Sequence, residues 1–145
     1  MTVSEPHNTN NPVLEYRFPA RANELCQTRT VVRTALTNSG CCSATVEDVV
    51  LAIDEACQNI IRHAYCGETD EEIVLNIEQD GETLVISLRD YASEVSADCM
   101  KSRDLGDIRP GGLGCHFIQE VMDEVSLSRP PEGSGNVLRM IKQMH

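Results

Sequence analysis

The sequence predicts an α+β fold, a two-layer sandwich with a mixed, mostly antiparallel sheet and helices on one of its faces. Three observations carry this. Alternating apolar and polar residues mark strands at residues 13–18, 73–78, 84–89, 125–129 and 137–142, and helical periodicity marks 22–36, 43–65 and 115–123. The elements run strand, helix, helix, strand, strand, loop, helix, strand, strand, without the βαβ alternation that builds parallel sheets. The chain has 145 residues, 41% of them hydrophobic, enough for one domain with one core.

Each element has local reasons. Residues 1–12 are polar, carry Asn and Pro without periodicity, and are expected to be a disordered tail ahead of a single domain over 13–145. In the first strand Leu14, Tyr16 and Phe18 alternate with Val13, Glu15 and Arg17, and Pro19 ends the run. Leu25, Val32 and Leu36 form the apolar stripe of the first helix, with Arg29 and Arg33 on another face. Asn38-Ser39-Gly40 stops it. The second helix starts near Ser43 or Thr45, where Thr45 and Asp48 have the spacing of a capping box. Its apolar stripe is Val49, Ile53, Cys57 or Ala56, Ile60 and Ala64, while Glu55, Asn59 and Arg62 share a different stripe. Asp80-Gly81 between two alternating runs signals a hairpin. Residues 95–110 are charged and weakly periodic, a lid-like loop, and 130–136 form the last turn.

Composition removes several function classes. The formal net charge is -11 and aromatics are 3%, which argues against nucleic acid or an anionic membrane as the main partner. No apolar run approaches the roughly 18 residues of a membrane span. The seven cysteines show no C-x-x-C pair, so neither a zinc site nor a disulfide framework is expected, and reduced cytoplasmic thiols fit better.

Four segments carry chemistry. In Glu55-Ala56-Cys57-Gln58-Asn59-Ile60-Ile61-Arg62-His63-Ala64-Tyr65 a carboxylate and an amide lie one helical turn apart. The amide oxygen suits Mg²⁺, and the carboxylate can orient or deprotonate a nucleophile; the same pattern also describes a solvated helix face. Arg89-Asp90 ends a strand, where a carboxylate can accept from the exocyclic amine of adenine. Arg109-Pro110-Gly111-Gly112-Leu113-Gly114-Cys115-His116 places glycines before a helix, where backbone N–H groups approach an anion closely; a flexible hinge has the same composition. Gly133-Ser134-Gly135-Asn136 precedes the last strand and by itself is an ordinary turn.

Taken together and in order, these segments resemble the Bergerat ATP-binding fold, and within it the anti-sigma-factor serine/threonine kinases, whose motif E-A-x-x-N-x-x-x-H-A-Y is matched by Glu55 to Tyr65. The resemblance covers nearly the whole chain. It implies ATP and Mg²⁺ as cofactors, with Glu55 as general base or orienter, Asn59 on the metal and Asp90 on adenine. It further implies Gly112, Leu113 and Gly114 along the phosphates, and Arg62 and His63 bordering the nucleotide. Asn136 stands near the place of a family Thr that contacts adenine through water. The implied partners are a STAS-type anti-sigma-factor antagonist, phosphorylated on Ser or Thr, and a sigma factor, with the kinase a homodimer. One departure is Asp90-Tyr91-Ala92, where the family has Asp-x-Gly; Ala crowds a close ligand as Gly does not. A docking module of the same fold with a weakened nucleotide site is therefore the alternative.

Overall fold

The computed structural model describes residues 11–92, 113–130 and 135–144, without the side chains of 113–116. Five strands form one sheet: β1 (Asn11–Pro19), β2 (Glu72–Asp80), β3 (Thr83–Asp90), β4 (Glu124–Ser128) and β5 (Asn136–Gln143). Their order is β1-β2-β3-β5-β4, and every ladder among them is antiparallel. Among the described residues three α-helices complete the fold: α1 (Leu25–Asn38), α2 (Ser43–Asn59) and α3 (Leu113–Val121). The expected strands and helices are all present. β1 begins two residues earlier than the alternation indicated, at Asn11.

The sheet divides its residues as a period of two requires. Ile73, Leu75 and Ile77 of β2, Leu84, Ile86 and Leu88 of β3 and Met140 of β5 are fully buried on one face. The helices cover that face with Val32 and Leu36 from α1, Val49, Ile53 and Cys57 from α2, and Ile118 from α3. Each fully buried Leu or Ile contributes roughly 1.5–3 kcal/mol of transfer free energy. β2 and β3 meet at Gly81, whose φ of 64° fits the two-residue turn between Asp80 and Thr83.

α1 and α2 are also tied by charge. Arg33 donates from Nε and Nη2 to the two oxygens of Glu47 at 2.9 and 3.1 Å, on the surface. Arg29 donates to Asp54 at 2.8 Å, and Gln58 donates to the other oxygen of that carboxylate at 2.8 Å. α3 is held at its C-terminal end, where Lys142 Nζ donates to the Val121 carbonyl at 2.6 Å. A cation at orphan carbonyls of a last turn satisfies both the hydrogen bond and the helix dipole.

Three local expectations are corrected. The capping box does not form: Cys42 takes the N-cap position, and Thr45 is buried in the first turn. Thr45 Oγ1 accepts from Cys42 Sγ at 3.3 Å instead. The second helix does not stay α-helical to residue 65; it passes at Asn59 into a π turn over Ile60–Ala64. Finally, Cys26, Cys41, Cys42 and Cys57 are free thiols, but Cys66 is disulfide-bonded. Spacing shows only pairs close in sequence, whereas a disulfide needs closeness in space.

Candidate functional site

The end of β3 is where the separate motifs meet. Asp90 is the last residue of that strand, paired with Ile73 of β2 on one side and Asn136 of β5 on the other. It is 2% exposed and the one acidic side chain in the buried set among the described residues. A buried carboxylate must be hydrogen-bonded or it neutralises. Here Oδ1 accepts from the Ala92 N–H at 3.1 Å, and both oxygens lie 3.4 Å from Nδ2 of Asn136. Burial pushes the Asp90 carboxyl above its usual range, while the Ala92 N–H and the Asn136 amide pull it back.

Gly135, from the fourth segment, presses on the same place. Its φ is +104°, and a Cβ built there would lie 2.0 Å from the Asp90 carbonyl oxygen and 2.9 Å from Tyr91 Cα. Only glycine allows this approach. The residue was visible in the sequence as part of a turn, but its contact with Asp90 is set by the β3–β5 pairing and has no local signal.

The first segment arrives through Tyr65. Its hydroxyl accepts from the Tyr91 N–H at 2.7 Å and donates to the Glu72 carbonyl at 2.6 Å. Burial pushes the phenol up to about 12, and the neighbouring Asp90 and Glu71 carboxylates act in the same direction. Tyr65 can reach this point because the π turn closes with its own N–H on Ile60 O at 3.0 Å, an i to i+5 bond. Such turns interrupt helices mostly as single insertions, frequently at functional sites. Next to Asp90, the Arg89 guanidinium lies 4.5 Å from the centre of the Tyr91 ring.

The other expected residues are placed as follows. Glu55 and Asn59 stay one α-helical turn apart in the last part of α2, both partly exposed. Arg62 and His63 lie in the π turn, beyond the α-helical phase that would align Arg62 with Glu55 and Asn59. Arg62 is exposed and borders a cavity of about 470 Å³ with Leu25, Arg29, Gln58, Ile61 and Glu68. Leu113 and Gly114 open α3, two residues earlier than expected. Gly112 and the charged stretch 95–110 lie outside the described residues, as do the side chains of Cys115 and His116. The structure thus brings the first, second and fourth segments together around Asp90.

This arrangement, with a helix carrying Glu55 and Asn59 beside a sheet that ends in a buried Asp, has a counterpart among known sequences. The model of the histidine kinase-like ATPase domain matches residues 18–142. The chain belongs to this family. Among relatives of the ATPase domain is the serine-protein kinase RsbW of Bacillus velezensis, 26% identical, with 95% of this chain and 89% of the relative covered. The enzyme of the same name from Staphylococcus aureus is 28% identical, over 90% of this chain and 87% of its own length. Two solved structures share the fold at 18% identity. One holds the RsbU and RsbW domains of a Mycobacterium tuberculosis protein, with a TM-score of 0.65; 90% of this chain aligns, to 31% of that longer chain. The other is the SiaB–SiaC complex of Pseudomonas aeruginosa, with a TM-score of 0.63, covering 90% of this chain and 91% of that one. No described helix of the ATPase domain is long and apolar enough to cross a membrane.

Proposed function

We propose that this chain is a cytoplasmic, ATP- and Mg²⁺-dependent serine/threonine kinase of the partner-switching kind. Its protein substrate is a STAS-type anti-sigma-factor antagonist, and its second partner is a sigma factor, held by a homodimer. The observation that carries the reading is the buried Asp90 carboxylate at a strand end, with residues from three sequence segments built around it. A carboxylate only accepts, so it favours the exocyclic amine of adenine over the carbonyl that guanine presents. The similarity to serine-protein kinases over most of both chains supports the same reading.

In this reading residues 13–145 act as one domain. Asp90 holds the base, with Asn136 beside it, and Gly112, Leu113 and Gly114 line the phosphates. Asn59 is the protein's oxygen ligand for Mg²⁺, with Arg62 and His63 at the border of the site. Bound Mg²⁺ supplies charge neutralisation on the phosphate oxygens. Glu55, one turn before Asn59, orients the Ser or Thr hydroxyl and takes its proton. Little covalent chemistry is asked of the protein, so its contribution is positioning and charge stabilisation.

A second reading rests on the surroundings of Asp90. Ala92 stands where the resembling kinases have Gly, and its N–H together with the Asn136 amide already engages the carboxylate. A docking module with weakened nucleotide affinity would have this look. Thermal unfolding with ATP, GTP or neither, each with and without Mg²⁺, separates the two. A ligand that binds only the native state raises the midpoint by mass action. The kinase reading expects a rise with ATP and Mg²⁺ and little with GTP. No rise at millimolar ATP would leave the docking reading.

A further inference from the structure

The peptide unit between Asp90 and Tyr91 is gripped from two sides. Gly135 sits against its carbonyl oxygen, at a distance that excludes any Cβ. Its N–H is taken by the Tyr65 hydroxyl at 2.7 Å. That peptide plane sets the direction in which the chain leaves β3. It therefore sets where the Ala92 N–H meets Asp90 Oδ1, at 3.1 Å. The same hydroxyl donates to the Glu72 carbonyl at the start of β2, so one oxygen fastens the ends of two neighbouring strands. Tyr65 is also joined to the Asn59 end of α2 through the π turn Ile60–Ala64.

We propose that Tyr65 is a positioning residue for base recognition, aiming the Asp90 carboxylate and fixing its place relative to Asn59. This rests on the nucleotide reading given above, since it concerns how that site is aimed. A tyrosine is suited to the task because its hydroxyl both donates and accepts, and the ring, packed at the edge of the core, has little freedom to move. Phenylalanine keeps the ring and removes both bonds.

The test compares binding of ATP, ITP and inorganic tripolyphosphate, each with Mg²⁺, by calorimetry. Inosine lacks the exocyclic amine, and tripolyphosphate has no base. Tyr65→Phe is expected to weaken ATP roughly three- to tenfold, the loss of about one hydrogen bond's alignment, and to leave ITP and tripolyphosphate unchanged. In an Asp90→Asn background the same substitution is expected to change the ATP-to-ITP ratio no further. Equal weakening of all three ligands, or an unchanged ratio in Tyr65→Phe, overturns the role of Tyr65 alone. Equal binding of ATP and ITP by the unaltered chain overturns adenine recognition by Asp90, and no binding of either overturns the nucleotide reading itself. Should Tyr65→Phe fail to unfold cooperatively, 3-fluorotyrosine placed at position 65 gives a ¹⁹F signal in the folded chain. A shift with ATP and none with ITP supports the proposal, and the same response to both overturns it.

Discussion

Gly135→Ala tests whether the strand ends around Asp90 are as closely built as described. The added methyl carbon starts 2.0 Å from the Asp90 carbonyl oxygen and 2.8 Å from its carbon, where ordinary contact begins at 3.4 Å. These are backbone atoms, which cannot rotate away as the tip of a side chain does. The φ of +104° adds a conformational cost of about 1–2 kcal/mol for any residue with a Cβ. Displacing packed backbone adds about 1–3 kcal/mol. Together these give a destabilisation of about 2–5 kcal/mol, or a fall in Tm of roughly 5–15 °C for a chain of this size. Urea unfolding measures it directly. Gly81→Ala is the internal control: its φ is also positive, at +64°, but nothing lies within 4 Å of the added carbon. That variant should show only the conformational cost. If the two variants lose equal stability, the contact between Gly135 and Asp90 is not a real constraint.

Three further outcomes are expected. Asp90→Asn should flatten part of the acid-to-neutral stability profile. A carboxyl whose folded pKa is raised binds its proton more tightly when folded, so stability falls as pH rises from the ordinary carboxylate range to the raised value, and the amide has no such step. Urea midpoints across pH 3 to 8, on the order of one per pH unit, would show it. Asn59→Ala should remove Mg²⁺-dependent nucleotide binding while the free protein still folds and unfolds cooperatively; Glu55→Gln should keep ATP binding and slow phosphotransfer by roughly 10²–10⁴. Labelling with a thiol reagent at rising pH should modify Cys42 before the other free thiols among the described residues. Cys42 is exposed and lowered by the Thr45 hydroxyl, which can turn to donate to its thiolate, and by the Thr45 N–H, whereas Cys57 is buried and raised, and should react only on unfolding.

What the sequence could and could not say follows the range of the interactions. The Asp80-Gly81 turn was legible because a two-residue hairpin loop is specified by its own residues. The stripes of α1 and α2 and the strand faces were legible because periodicity and burial are one pattern. The capping box misled because Thr45-x-x-Asp48 has the right spacing one turn too late; the chain begins the helix at Ser43, and Thr45 is drawn into the core. The π turn has no such spacing signal, so Arg62 was assigned to a stripe that ends at Asn59. The contacts of Asp90 with Gly135 and Asn136 join residues separated by more than forty positions, and only the sheet register creates them. The family motifs marked these positions as belonging together without showing what holds them.

The choice between kinase and docking module turns on how firmly Asp90 is already satisfied. The Asn136 amide reaches both carboxylate oxygens at 3.4 Å, a distance at the weak end for N–H···O bonds. A carboxylate offers about four lone-pair directions, and the Ala92 and Asn136 N–H groups draw on two of them, so an amine can take the direction that the weakly held Asn136 amide gives up. Asn136 then serves as a placeholder, keeping a desolvated charge partly compensated until a stronger donor arrives. Its effect on nucleotide affinity is a modest competition rather than a block. Asn136→Thr puts this to measurement, since Thr has the hydroxyl that the resembling kinases carry but is too short to span both oxygens. The free variant should unfold at a lower temperature, because Asp90 loses its partial donor, and the rise produced by ATP and Mg²⁺ should be larger than in the unaltered chain. A smaller rise would mean that the amide itself contacts the base, and the placeholder argument would fail while the pocket stood.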